Sequence, residues 1–197
     1  MATAQESSTP LGSAQLDRAH HDGALLDRAL LDRVLKVYKP HCRYLQSAQV
    51  PPGDAVRAAC EFEIPESCYI DDTGHFNSVE FNICYNQALY WLVATSVRDR
   101  LLPVLSGWSM DDFWARQLPD IYIAAYEAVF RAPMRGRELF HGELEVKRAK
   151  VRRASAGRPG VVWLDTACRF WEDGGGNADG RIRIAVTNLP EEDDVRP

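Results

Sequence analysis

Between Asp71 and Asn77 the chain sets two carboxylates (Asp71, Asp72), a hydroxyl (Thr73), an imidazole (His75) and an amide (Asn77) within seven residues. An imidazole exchanges protons near neutral pH, and a neighbouring carboxylate can orient it or activate water. Directly after this cluster, Asn77-Ser-Val-Glu80 has the pattern of an N-cap followed by an acidic N3 residue, which predicts that a helix begins at Ser78. A helix start presents backbone N–H groups and a partial positive charge to any oxygen that gains negative charge in a reaction. The carbonyl oxygen of a thioester under nucleophilic attack is such an oxygen. Further along, Asn82, Asn86 and Tyr90 recur at i, i+4 and i+8 and form one polar seam, and Gln87 adds another amide to a mostly apolar segment. Capping alone accounts for Asn77, Glu80 and one aspartate. It leaves Thr73, His75 and the seam unexplained, and a channel holding a polar ligand would explain them. No serine or cysteine stands in a nucleophile-elbow context, which favours direct attack over an acyl-enzyme.

The elements that must carry this cluster can be read from periodicity. A helix over 22–39, with Asp22 as cap, puts Leu26, Leu30, Val34 and Val37 on one stripe, and Pro40 ends it. Residues 56–64 alternate, with Val56, Ala58, Cys60, Phe62 and Ile64 facing one way: a half-buried strand. The helix from Ser78 should run to about Arg100, apolar on nearly every side and therefore enclosed. A short helix capped by Ser109 follows. Four strand-like runs then span 120–132, 137–154, 161–173 and 181–189, separated by Pro133/Gly136, by "SAGRPG" and by "GGGNADG". The layout is α+β: a sheet wrapped around a long helix, with an extra N-terminal helix. Residues 1–21 read as a disordered leader, 22–189 as one domain and 190–197 as an acidic tail.

The 197 residues carry a net charge of −5, which argues against nucleic acid as a partner. The five cysteines are odd in number and lack CxxC spacing, so the expectation is a cytoplasmic protein with neither disulfides nor structural zinc. No metal site, other cofactor or membrane span is expected. The basic run "KRAKVRRASAGR" could dock an acidic carrier or CoA phosphates, or simply deter edge pairing.

"DDTGHFN" resembles the D-x-x-G-H-x-N entry of hotdog-fold acyl thioesterases, with Asp71 in the acidic position. "GHF" is also similar to a hotdog dehydratase motif, but Asn77 stands where that motif has proline. The longer run "CYIDDTGHFNSVEFNICYNQ", with "VLKVYKP" upstream, resembles the FcoT-type thioesterase-fold family over roughly residues 25 to 187. That resemblance implies a single hotdog domain. It also implies an enzyme that adds glycine to the β-carbon of a (2E)-enoyl thioester on an acyl carrier protein, then hydrolyses the thioester to release a (3R)-3-[(carboxymethyl)amino] fatty acid. Thr73, His75 and Asn77, with Tyr69 and Asn86, are the site residues it points to. His75 is then expected to deprotonate glycine, with Asp71 or Thr73 positioning it; Asp71, Asp72 and Glu80 stay open as activators of the hydrolytic water. Asn82 continues the polar lining. Lys39 and Arg43 could receive the glycine carboxylate, or could merely be cations at a helix end. A homodimer is expected. Two other readings are a plain long-chain acyl-CoA thioesterase and a non-catalytic acyl-binding or carrier-docking module.

Overall fold

The computed structural model describes residues 27–71, 74–155 and 159–189. The leader, the acidic tail, Asp22 and Leu26 lie outside them.

The first helix, α1, is described over residues 27–35, and its Leu30, Leu31, Val34 and Leu35 are buried. It ends sooner than expected. Residues 36–38 already turn, so Val37 is left exposed, and Pro40 opens a single 3₁₀ turn (Pro40–Cys42). Two strands follow, β1 (Leu45–Gln49) and β2 (Arg57–Phe62), and then the long helix α2 (Ser78–Arg98). The short helix α3 (Met110–Arg116) precedes strands β3 (Ile121–Ala132), β4 (Phe140–Arg152), β5 (Val161–Trp171) and β6 (Asn177–Val186). All strand pairs are antiparallel, in the order β1-β2-β4-β5-β6-β3.

The sheet encloses α2, whose residues from Gln87 to Val97 are all buried. That is why the segment is apolar on nearly every side. Among the polar groups that enter this core, Tyr85 and Gln87 are paired, whereas Trp91 Nε1, Thr95 Oγ1 and Ser96 Oγ have no hydrogen-bond partner among the described residues. The Tyr85 hydroxyl lies 2.8 Å from Thr166 Oγ1, and that hydroxyl donates to the Ile182 carbonyl on β6. Gln87, fully buried, accepts from the Tyr44 and Leu45 N–H groups at 2.9 Å and donates to the Cys42 carbonyl at 2.6 Å. It thereby fastens the chain leaving Pro40 to the middle of α2. Beneath the start of α2, Phe62, Phe76, Phe81, Phe140 and Phe170 pack with ring centroids 4.9–6.3 Å apart. Two glycines make room for them. A Cβ on Gly142 would sit 2.6 Å from Phe62, and one on Gly180 would sit 2.7 Å from Phe81. This is the hotdog arrangement, a curled antiparallel sheet around one central helix, with six strands among the described residues where five were expected. No helix among the described residues is long and apolar enough to cross a membrane.

Candidate active site

The site grows from the segment joining β2 to α2. Ile64 N–H donates to the Gly136 carbonyl (3.1 Å) and Phe76 N–H to the Met134 carbonyl (2.8 Å), which staples this segment to the β3–β4 connection. Phe76 is almost fully buried in the aromatic cluster. Its neighbours in sequence therefore occupy fixed places: His75 emerges at the surface and Asn77 meets the helix end. Asn77 Oδ1 accepts from Val79 N–H (2.9 Å) and Glu80 N–H (3.4 Å), while the Glu80 carboxylate accepts from Asn77 N–H (3.3 Å) and Asn77 Nδ2 (3.2 Å). The predicted capping box is present in full. It has a chemical consequence: two of the early N–H groups are taken by the cap. Ser78 N–H, the first in the helix, has no hydrogen bond among the described residues and lines a cleft.

That cleft, of about 580 Å³, lies between the start of α2 and the end of β3. Phe76, Phe130, Ala132, Pro133 and Met134 make its apolar wall, and His75, Asn77, Ser78 and Arg131 its polar one. His75 also borders a tight cup of about 20 Å³, whose charged and hydroxyl groups are Glu66, Ser67, Asp71, Glu80, Arg135 and Arg137. His75 lines both spaces. An imidazole there can pass protons between an amphiphile's chain side and a charged reactant, and Asp71 and Glu80 supply negative charge within the same cup.

The other predicted residues are placed as follows. Asn86 Nδ2 donates to the Asn82 carbonyl (2.9 Å) and Oδ1 (3.3 Å), so the seam exists, half-buried, and Tyr90 continues it at 8% exposure. Tyr69 is exposed on the β2–α2 loop. Arg43 Nε donates to the Tyr38 carbonyl (3.2 Å) and Lys39 is exposed; neither lines the cup or the cleft. Thr73 and Asp72 lie outside the described residues. Sequence reasoning missed Arg135, Arg137 and Met134, because "APMRGRE" carries only a turn signal.

Four of the five cysteines have thiols held above their ordinary range. Burial raises the Cys60 and Cys84 thiols well above their ordinary range and pushes Cys168 up to about 12. Burial also raises Cys42, with the neighbouring Cys68 adding to the effect. A thiol that stays protonated is a poor nucleophile.

The FcoT-like thioesterase domain model matches residues 33–186. A Streptomyces coeruleorubidus protein named (2E)-enoyl-[ACP] glycyltransferase is 52% identical over 158 residues, covering 80% of this chain and 94% of its own. A Mycobacterium tuberculosis (strain ATCC 25618 / H37Rv) protein of the same name is 38% identical over 152 residues, 76% of this chain and 80% of its own. Among solved structures, a candidate thioesterase from Syntrophus aciditrophicus SB superposes with a TM-score of 0.51 at 11% identity, over 84% of this chain and 99% of that one. At that identity the likeness speaks for the fold alone.

Proposed function

The chain belongs to the FcoT-like thioesterase family, and we propose that it adds glycine to a (2E)-enoyl thioester on an acyl carrier protein and then hydrolyses that thioester. The observation that carries this reading is the position of His75, which lines both an apolar cleft and a charged cup at the start of α2. An acyl chain suits the first space, and a small zwitterion the second.

The chemistry follows from charge. Glycine reacts as the free amine, so its ammonium gives a proton to His75, with Asp71 of the same cup positioning the ring. The amine then bonds to the β-carbon, the alkene electrons move toward the carbonyl oxygen, and the α-carbon takes up a proton. In the second step water adds to the carbonyl carbon, and the carrier's thiol leaves with a proton. The product is a (3R)-3-[(carboxymethyl)amino] fatty acid. Both steps load negative charge onto one oxygen, so a single donor set serves both. Ser78 N–H is the helix donor that the cap leaves over, and Asn77 aims it by fixing the first turn. The half-buried amides of Asn82 and Asn86 and the exposed Tyr69 line neither the cleft nor the cup.

The working unit in this reading is a homodimer formed through β3. That strand pairs with β6 on one side only, and Tyr122, Tyr126, Val129 and Phe130 on it are exposed. A second copy closing this edge across a two-fold axis would shelter them and wall the cleft beside Phe130. The five free thiols suit a reducing cytoplasm.

Mass spectrometry of an enoyl-carrier substrate with and without glycine tests the reading. A glycine-dependent mass gain followed by release of the acid is expected. Free acid formed equally well without glycine would make the chain a plain thioesterase, and unchanged substrate would make it a binding module.

A further inference from the structure

Glycine brings a carboxylate as well as an amine, and a buried or half-buried carboxylate needs a cation. The cup beside His75 offers two. Arg135 and Arg137 come from the β3–β4 connection and line it together with Glu66, Asp71 and Glu80. Their loop is held in place from two directions. The Ile64–Gly136 and Phe76–Met134 hydrogen bonds tie it to the β2–α2 segment, and Arg135 N–H donates to Glu172 Oε2 at 3.1 Å. A second, independent feature is an unpaired hydroxyl on the cup's wall. Ser67 Oγ, on its wall, is buried without a hydrogen-bond partner among the described residues, and a buried hydroxyl left unpaired is costly.

The signs of charge specify what fits. Two arginines together with the carboxylates of Glu66, Asp71 and Glu80 complement a zwitterion, with its carboxylate toward the arginines and its ammonium toward Asp71, Ser67 and His75. The volume specifies the size. About 20 Å³ is little more than one water requires, so the cup admits a charged head group and the rest of the ligand lies outside it. We infer that the cup is the amino-acid subsite, in which Arg135 and Arg137 receive the carboxylate of glycine and present its amine to His75. This assignment rests on the reading of the chain as a glycine-adding enzyme. It moves the carboxylate contact from Lys39 and Arg43, which do not line the cup, to the β3–β4 connection.

Steady-state kinetics of adduct formation on an enoyl-carrier substrate test it, with glycine varied, in the wild type, R135Q, R137Q, the double variant, and a K39Q/R43Q control. Loss of one charge-assisted contact should raise the KM for glycine about 10- to 100-fold at little cost in kcat. Glycinamide, which keeps the amine and lacks the carboxylate, sharpens the reading. The wild type should prefer glycine strongly, and the double variant should lose at least about tenfold of that preference. R135K and R137K should recover part of the affinity, which a merely structural role would not produce. Thermal unfolding of each variant checks that the fold is kept; both side chains are exposed enough for substitution to be tolerated. A glycine KM within twofold of wild type in the double variant, or a rise confined to K39Q/R43Q, overturns the subsite while leaving the glycine-adding activity intact. A wild type that forms no glycine adduct overturns both.

Discussion

Asn86 and Gln87 are consecutive amides on one helix, and they do opposite things. Gln87 is fully buried, and both ends of its amide are held: its oxygen by two backbone N–H groups, its nitrogen by a carbonyl. Asn86 is half-buried and spends its nitrogen on its own helix, on Asn82 one turn back. The same contrast separates the mouth of α2 from its middle. At the mouth, His75, Ser78 and Asn86 retain access to the surface or to a cleft; in the middle, the side chains are buried and the Gln87 amide is bound into the scaffold. Residue type does not distinguish a binding amide from a structural one. Saturation of its hydrogen bonds does.

If the mouth is where chemistry happens, its largest single loss should come from His75. Replacing His75 with Ala is expected to slow adduct formation by about 10²–10⁴-fold, as for removal of a general base, while the Tm moves by no more than about 2 °C. Equal rates in the variant and the wild type would erase the contrast. The middle should behave in the reverse sense. Gln87→Leu orphans the Tyr44 and Leu45 N–H groups in the core, and at about 1–3 kcal/mol per unsatisfied group a loss near 3 kcal/mol in urea unfolding is expected. Turnover per folded molecule should fall far less than in H75A.

The contrast also explains what the sequence could disclose. The start of α2 at Ser78 was legible because an N-cap and its N3 partner act locally, three residues apart. The alternation of β2 was legible because Ala58, Cys60 and Phe62 repeat the period of a pleated face. Strand β1 was not. Of its five residues only Leu45 is buried, a bulge interrupts its pairing, and β2 is its only neighbour in the sheet, so no period survives in "LQSAQ". The glycine run before β6 misled for a different reason. Asn177–Gly180 belong to the strand, and Gly180 is glycine because Phe81 approaches where a Cβ would stand. Within the site, Asp71, His75, Asn77 and Glu80 lie so close in sequence that the chain itself brings them together. Arg135 and Arg137 join them across backbone hydrogen bonds between two distant loops, and such contacts leave no local pattern.

The capping boxes allow a finer cut, because the same motif occurs at both helices. At α2 the box borders the cleft. At α3 it does not: Ser109 and Asp112 cap each other, and Asp112 also pairs with Arg116 at 2.7 Å. Asn77→Ala removes the acceptor of two N–H groups and should cost about 1 kcal/mol of stability. It should also depress turnover, because the first turn that aims Ser78 N–H loosens; unfolding curves and rates on the same preparations measure the two effects together.

Asp112→Asn should cost less, at most about 1 kcal/mol, and should leave turnover per folded molecule unchanged. Its signature is in the pH dependence. The Ser109 hydroxyl and N–H, with Arg116 beside them, hold the Asp112 carboxyl below its ordinary 3.8. A depressed carboxyl contributes stability that is fully present above that ordinary value and is lost as the pH falls through the lower, folded value. The wild type should therefore lose this increment below about pH 4, and D112N should lack that part of the acid limb. A D112N variant with impaired turnover at neutral pH would mean that the α3 cap also bears on the cleft, and the division between a working mouth and a supporting scaffold would have to be redrawn.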